Sequence, residues 1–333
     1  MIPAMIQVFT DPRCLEHQSP PGYPERPERL AGIVSHLRSR GWPVTDAGTS
    51  PEIREAARAA VLAVHEEAYV ERFQRAVERG DSLIDSADNP LSDRTWEASW
   101  AAVEVALAAA DRAAGSAGSG SGDVTFAAVR PPGHHAERST AMGFCFFNNV
   151  AVAAEHLRRR HGASRVAIFD FDVHHGNGTQ HLFEEHADIF YVSTHQFPFY
   201  PGTGAAGETG RGPGEGATLN CPLPAGTGDE GYEETIRGTV LPGLRRFAPD
   251  VLLISAGFDA WQDDPLGGMR VTEEGFRRWG EWLRELAEEV CGGRLMAILE
   301  GGYDLRALPR LVEAHLEGMS GGTGARSNIE EGR

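Results

Sequence analysis

Short apolar runs rich in β-branched residues alternate along the chain with longer amphipathic stretches, the pattern of strands and covering helices in a mostly parallel sheet. IQVF (6–9), VTFAAV (124–129), RVAIFDFDV (165–173), IFYVSTH (189–195), VLLISAGFDA (251–260) and LMAILEGGY (295–303) are predicted strands. Between them, TWEASWAAVEVALAAADRAA (95–114) is Ala-rich with Thr95 at its start, and TEEGFRRWGEWLRELAEEV (272–290) has Thr272 as N-cap and acids in its first turn. Both are predicted to cover the sheet. GSAGSGSG (115–122) reads as a flexible surface loop inside the fold, because a strand follows at once. GMSGGTGARSNIEEGR (318–333) lacks a periodic apolar pattern and is predicted to be a mobile tail after one domain spanning 1–317. No internal repeat interrupts this single α/β domain.

Composition narrows the function classes. The 333 residues include 41% hydrophobic and 24% charged residues, an ordinary balance for a globular chain with a sizeable core. With 31 basic against 48 acidic residues the net charge is −17, which disfavours nucleic acid and favours cationic substrates. Cys14, Cys145, Cys221 and Cys291 form no CxxC pair, so neither a thiolate metal site nor a disulfide framework is expected. No apolar stretch reaches the roughly 18 residues of a membrane span, and the amino terminus lacks a signal-peptide plan, so a cytoplasmic enzyme is expected.

The chemistry gathers where the strands end. Ligands of open parallel sheets sit outside the carboxyl ends of the strands. Here four apolar runs end in His134 and His135, in Asp170, Asp172, His174 and His175, in Asp259, and in Tyr303. Alone, a strand-terminal aspartate more commonly caps a turn, and a buried histidine is more commonly just hydrogen-bonded. Convergence changes that reading. Asp172, His174 and Asp259 make a one-histidine, two-carboxylate set for a divalent ion with positions left open for water and substrate. Strand alternation would put residues 170, 172 and 174 on one face. The RPPG turn before His134 aims the paired rings, and the glycines of GGY free the backbone to swing Tyr303 over the site.

YPERPERL, AVRPPGHHA, GFCFFNN, DFDVHHGNGTQ, YPGTG, LISAGFDAWQDDPLGG and LEGGYDL, in this order, resemble the histone deacetylase superfamily, and within it the class II-like bacterial deacetylase-like amidohydrolases. The likeness runs from about residue 7 to 312. It implies an arginase/deacetylase-like fold and zinc-dependent deacetylation of amines, with iron(II) as an alternative metal. Asp172, His174 and Asp259 would bind the zinc, with His134, His135 and Tyr303 around the water and carbonyl. Asp170 would partner His134, and Asn177 would partner His135 where other classes carry an aspartate. Phe144 and Tyr200 would line a tunnel for the alkyl chain, although Phe144 reads equally as core packing, and the Gly143 carbonyl would accept the substrate amide hydrogen. A potassium ion beside Asp170, Asp172, His174, Ser193 and Thr194 is also implied.

The expected substrate is an acetylated lysine or a similar linear acylated amine, with acetylpolyamines as the alternative. Leu266 matches a position where polyamine-selective relatives carry an acidic gate, so acetyl-lysine in a peptide is expected to be preferred; Asp263 and Asp264 are the residues that would reverse this. A catalytically silent acyl-binding module needs neither Tyr303 nor a full ligand set. A binuclear arginase-type hydrolase needs further carboxylates and histidines at strand ends.

Overall fold

The computed structural model describes residues 6–115 and 123–321. Apolar runs pair side by side here because a strand buried on both faces needs partners for its backbone and apolar neighbours above and below. Among the described residues one sheet has eight strands: β1 (Gln7–Thr10), β2 (Val44–Asp46), β3 (Val124–Ala127), β4 (Val166–Asp170), β5 (Ile189–Gln196), β6 (Thr218–Leu223), β7 (Val251–Ala256) and β8 (Leu295–Leu299). All pairs are parallel, in the order β2-β1-β3-β8-β7-β4-β5-β6. Strands β3, β4, β5, β7 and β8 are buried at every position.

The helices are α1 (Pro27–Ser39), α2 (Pro51–Val64), α3 (Glu67–Arg79), α4 (Thr95–Ala114), α5 (Asn149–His161), α6 (Asn177–Phe183), α7 (Asp229–Thr235), α8 (Leu241–Phe247), α9 (Glu273–Cys291) and α10 (Leu308–Met319). Helices α2, α4 and α5 pack together as one covering layer, while α1, α10 and α9 form another. Thr272 caps α9 as expected, accepting the Gly275 N–H at 3.3 Å.

All six predicted strands are present, but four of them end earlier than the sequence suggested. β4 stops at Asp170, β7 at Ala256 and β8 at Leu299, so the charged residues that follow lie in turns rather than in strands. The common direction of Asp172 and His174 is therefore set by the turn after β4 and not by strand alternation. Two edge strands went unpredicted: β2 has three half-buried or exposed residues, and β6 contains Pro222. Helix α10 runs to Met319, two residues into the segment read as a tail. Most of that segment (322–333) and the glycine-serine loop (116–122) lie outside the described residues.

Candidate active site

Strands β3, β8, β7 and β4 are neighbours at the middle of the sheet, and the loops leaving their carboxyl ends supply the buried polar cluster. Asp172, His174 and Asp259 come together so that one ligand atom from each lies within 4.8 Å of the others. His174 Nδ1 is 3.1 Å from Asp172 Oδ1 and 3.2 Å from Asp259 Oδ2. Backbone amides hold the carboxylates in place: Gly301 N–H donates to Asp172 Oδ2 at 2.8 Å, and Val173 N–H to Asp259 Oδ1 at 2.8 Å. Asp259 Oδ2 is fully buried, yet no donor among the described residues hydrogen-bonds it. A buried carboxylate oxygen without a donor is costly unless a cation faces it. A Cβ at Gly301 would overlap the Oδ2 atoms of both Asp172 and Asp259, so the close approach there requires glycine.

Charge settles unevenly over this cluster. Burial opposes a charged His174 ring, but its hydrogen bond to Asp172 and the closeness of the Asp259 carboxylate outweigh that and hold its pKa up to about 10. Burial and the Asp172 charge push Asp259 up, whereas the cationic rings of His134 and His174 draw Asp172 down against its burial. A divalent ion would take over this compensation and displace a proton from His174. One imidazole and two carboxylates suit zinc, and iron(II) as well.

His134 and His135 leave the turn after β3 with ring centroids 4.0 Å apart, in different surroundings. His134 Nδ1 sits 3.0 Å from Asp170 Oδ2. Burial disfavours its charge, but Asp170 and Asp172 hold its pKa up to about 10. His135 Nδ1 faces Asn177 Oδ1 at 2.7 Å. Asn177 spends its amide N–H on Glu137 Oε1 at 2.5 Å, so its oxygen is an acceptor, His135 carries its proton on Nδ1, and Nε2 is free to accept. Burial and the neighbouring His134 and His174 cations keep His135 well below the usual histidine range. His175 is turned aside onto Thr203 and Gln180, at 2.8 and 2.9 Å, and stays outside the cluster.

Tyr303 is set by residues the sequence reading did not single out. Gly302 adopts φ +115°, a conformation side chains rarely take. Buried Arg29 donates to the carbonyls of Gly302 and Glu300, each at 2.6 Å, and its guanidinium lies 4.7 Å from the centre of the Tyr303 ring. Glu25 ties Arg29 to Arg130, at 3.3 and 2.5 Å. Asp264, which sequence left as a candidate rim charge, points inward: its Oδ2 accepts the Tyr303 N–H at 2.7 Å. Burial, against the opposing pull of the nearby Arg29 charge, keeps the Tyr303 phenol well above 10 and so protonated. Glu25 and Arg29 belong to YPERPERL, but nothing local sets them apart from Arg26 and Glu28; tertiary burial alone does.

These groups floor a pocket of about 260 Å³ lined by Asp88, His135, Gly143, Phe144, His174, Phe199, Tyr200, Leu266 and Tyr303. Phe144 takes φ +69°, strained for an aromatic residue, and its ring packs edge-on to Tyr303 at 5.9 Å; it lines the pocket instead of filling the core. Phe199 stacks on His174 at 5.3 Å, and Tyr200 donates to Asp88 Oδ2 at 2.9 Å. The Gly143 carbonyl accepts the Cys145 thiol at 3.2 Å, and its N–H donates to Asp88. Asp263 is exposed and is not among the lining residues. Asp170, at the end of β4, is in register with Ser193 within β5; Ser193 Oγ is 2.8 Å from His195 Nδ1, and Thr194 Oγ1 is buried without a partner among the described residues.

The sequence profile of the histone deacetylase domain matches residues 23–319. This chain belongs to that family. Among its relatives are a probable deacetylase of Archaeoglobus fulgidus, 39% identical over 92% of this chain and 84% of that one, and a histone deacetylase-like amidohydrolase of Pseudomonas aeruginosa, 39% identical over 78% and 68%. The chloroplastic histone deacetylase 14 of Arabidopsis thaliana is 43% identical over 78% of this chain, which spans 62% of that relative's length; for the chloroplastic histone deacetylase 10 of rice the spanned share is 42%. The fold matches the crystal structure of the HDA15 HD domain with TM-score 0.85 at 35% identity, covering 96% of this chain and 89% of that one. It also matches an acetylpolyamine aminohydrolase from Burkholderia pseudomallei with TM-score 0.83 at 32% identity, covering 94% and 98%. The arginase/deacetylase-like architecture expected from sequence is thus shown, and family membership supports hydrolase activity. No helix among the described residues is long and apolar enough to cross a membrane.

Proposed function

We propose that this protein is a zinc-dependent amidohydrolase that removes acetyl or other short acyl groups from acyl-lysine side chains or similar linear acylated amines. The observation that carries it is the floor of the pocket, where an imidazole with a free acceptor nitrogen (His135), a protonated phenol (Tyr303) and His174, which gathers with the buried Asp172 and Asp259, face one largely apolar-walled space. Amide hydrolysis needs those three things: a base for water, a donor to the carbonyl oxygen and a strong electrophilic aid. When bound by the trio, zinc supplies Lewis acidity that polarises a carbonyl and makes water more acidic. His135 Nε2 takes the proton from the attacking water and returns it to the amine nitrogen, so the products are a carboxylic acid and an amine, which at neutral pH become carboxylate and ammonium. Asn177 fixes the tautomer that permits this. His134, held protonated by Asp170, stabilises negative charge beside it without giving up its proton. The Tyr303 hydroxyl donates to the oxygen that gains charge. Phe144, Phe199, Tyr200 and Leu266 exclude water from the alkyl chain, and the Gly143 carbonyl receives the substrate N–H. A potassium ion beside Asp170 and the unpaired Thr194 hydroxyl would balance the buried acids there.

One wall residue favours a second reading, an acetylpolyamine amidohydrolase. Asp88 brings a carboxylate to the pocket, where it would attract a distant ammonium. Its oxygens are already engaged by Gly143 N–H, Tyr200 hydroxyl and Ser86, which leaves less of that charge for substrate and keeps acetyl-lysine peptides ahead. The test is turnover of acetyl-lysine peptides, acetylputrescine and acetylspermidine by zinc-loaded protein and by Asp259→Asn. Turnover that a hydroxamate blocks, with metal content and activity both lost in Asp259→Asn, is expected. Full metal occupancy in the variant would overturn the ligand set, and absence of turnover on every substrate would leave a binding module. Acetylpolyamines winning by tenfold in kcat/KM, about 1.4 kcal/mol, would establish the second reading.

A further inference from the structure

A second convergence of metal-binding side chains lies on the far side of the fold. Helix α5 is followed directly by β4, whose carboxyl end carries Asp170, so the end of α5 lies at the opposite edge of the sheet from the active site. The length of the five-residue β4, roughly 17 Å at about 3.3 Å per residue, separates the two. There Asp111, in the last turn of α4, meets His156 and His161 of α5. The Nε2 atoms of both rings lie 2.6 Å from the same oxygen, Asp111 Oδ1, and one ligand atom from each residue falls within 4.8 Å of the others.

We propose that Asp111, His156 and His161 form a second, non-catalytic site for a divalent transition-metal ion, zinc being the probe, that fastens the end of α4 to the end of α5. The donor set is right, because two imidazoles and one carboxylate hold such ions while leaving positions for water. The site is partly built in advance. The His156 side chain is only 3% exposed, held between the two helices, whereas His161 and Asp111 are 26% and 33% exposed and leave an open side for ion entry and water ligands. Both helices end here, and the partial negative charge of two helix C-termini favours a cation within the last turn. Gly162, in the left-handed conformation, ends α5 and lets His161 turn back toward His156 despite their five-residue spacing, with ring centroids 5.8 Å apart. One group opposes the ion: Arg160 lies 3.7 Å from Asp111 Oδ1, but its side chain is 59% exposed and free to move to solvent.

The test counts metal in tag-free protein equilibrated with micromolar free zinc. His161→Gln retains a hydrogen-bond donor for Asp111 but no imidazole, and Asp111→Asn retains the shape without the charge. Each variant is expected to hold one zinc per chain fewer than the parent, to show a smaller zinc-dependent rise in thermal unfolding midpoint, and to keep kcat on an acetyl-lysine substrate within twofold. Equal counts in parent and variants would overturn the proposal and leave the cluster an ion-pair network. Because the readout is a difference, it stands apart from the active site, whose own occupancy is reported by Asp259→Asn.

Discussion

Asp264 should govern the rate through Tyr303 without touching substrate. The residue is 7% exposed. Its Oδ2 accepts the N–H groups of Tyr303 and Asp304 at 2.7 and 3.3 Å, and its Oδ1 accepts the Leu266 N–H at 2.9 Å. It therefore joins two walls of the pocket, Tyr303 and Leu266. In Asp264→Asn one of the two acceptor oxygens becomes an NH2 group, so either Leu266 or Tyr303 loses its acceptor and meets a donor. A stranded buried N–H costs about 1–3 kcal/mol, and the chain can relieve it only by shifting the GGY turn. A displacement near 1 Å at a reacting group can cost about 10²-fold in rate. The expected result is a kcat lower by about 10- to 100-fold, a KM within a few-fold, unchanged metal content and an unfolding free energy lower by about 1–3 kcal/mol. Steady-state kinetics, elemental analysis and urea unfolding measure these. A double-mutant cycle sharpens the test: if Asp264 acts through the phenol, Asp264→Asn in a Tyr303→Phe background should cost little further kcat. Fully additive losses, or a kcat that follows metal loss, would refute the positioning role.

His135→Ala should keep its metal and lose about 10²- to 10⁴-fold in kcat, while Tyr303→Phe should lose about 10²- to 10³-fold and still bind a hydroxamate; a near-native kcat in either variant would remove that residue from its role. A pH effect is expected outside the pocket lining at His315, whose ring is buried, donates to the Phe276 carbonyl at 3.0 Å and has its pKa pushed by burial from 6.5 down to about 4. Because the folded value is the lower one, the unfolded chain binds more protons between these values, so this contribution is complete above pH 6.5 and falls on acidification toward 4 by about 1.4 kcal/mol per unit. Urea unfolding from pH 7 to 5 should show a shallower slope in His315→Gln; identical slopes would refute this.

The parts of the site that sequence could show are those that follow an apolar run. Asp172, His174, Asp259 and Tyr303 stand out because a polar side chain after a buried strand has few bland uses. The supporting residues carry no such flag. Arg29 sits in a helix where arginine is commonplace, and only its burial beneath the GGY turn gives it a function. Asp264 read, beside Asp263, as an acid that could reach the pocket rim, because nothing local tells a rim carboxylate from one turned onto a backbone amide. Asp88 belongs to a loop without apolar periodicity, and tertiary closure alone brings it to the pocket. The same limit holds for the fold: the central strands announce themselves by being buried on both faces, whereas β2 and β6 at the edges are short or interrupted by proline.

The four central strands are locked to one another through their acids. After β3 the chain crosses to β4 and leaves two places that β7 and β8 fill later, so residues from 133 to 303 meet at one edge. Four of the buried carboxylates there accept an N–H from the turn of another strand. Asp172, after β4, takes Gly301 N–H from β8; Asp259, after β7, takes Val173 N–H from β4. Asp264, also after β7, takes Tyr303 N–H from β8, and Glu300, closing β8, takes the N–H groups of Gly133 and His134 from β3 at 2.6 and 3.1 Å. Side-chain position is thus inherited from backbone position, and no acid in the ring can relax without moving the next turn. Substitutions within the ring should consequently combine non-additively even where the side chains share no direct contact, because the coupling passes through backbone amides held within hydrogen-bond reach.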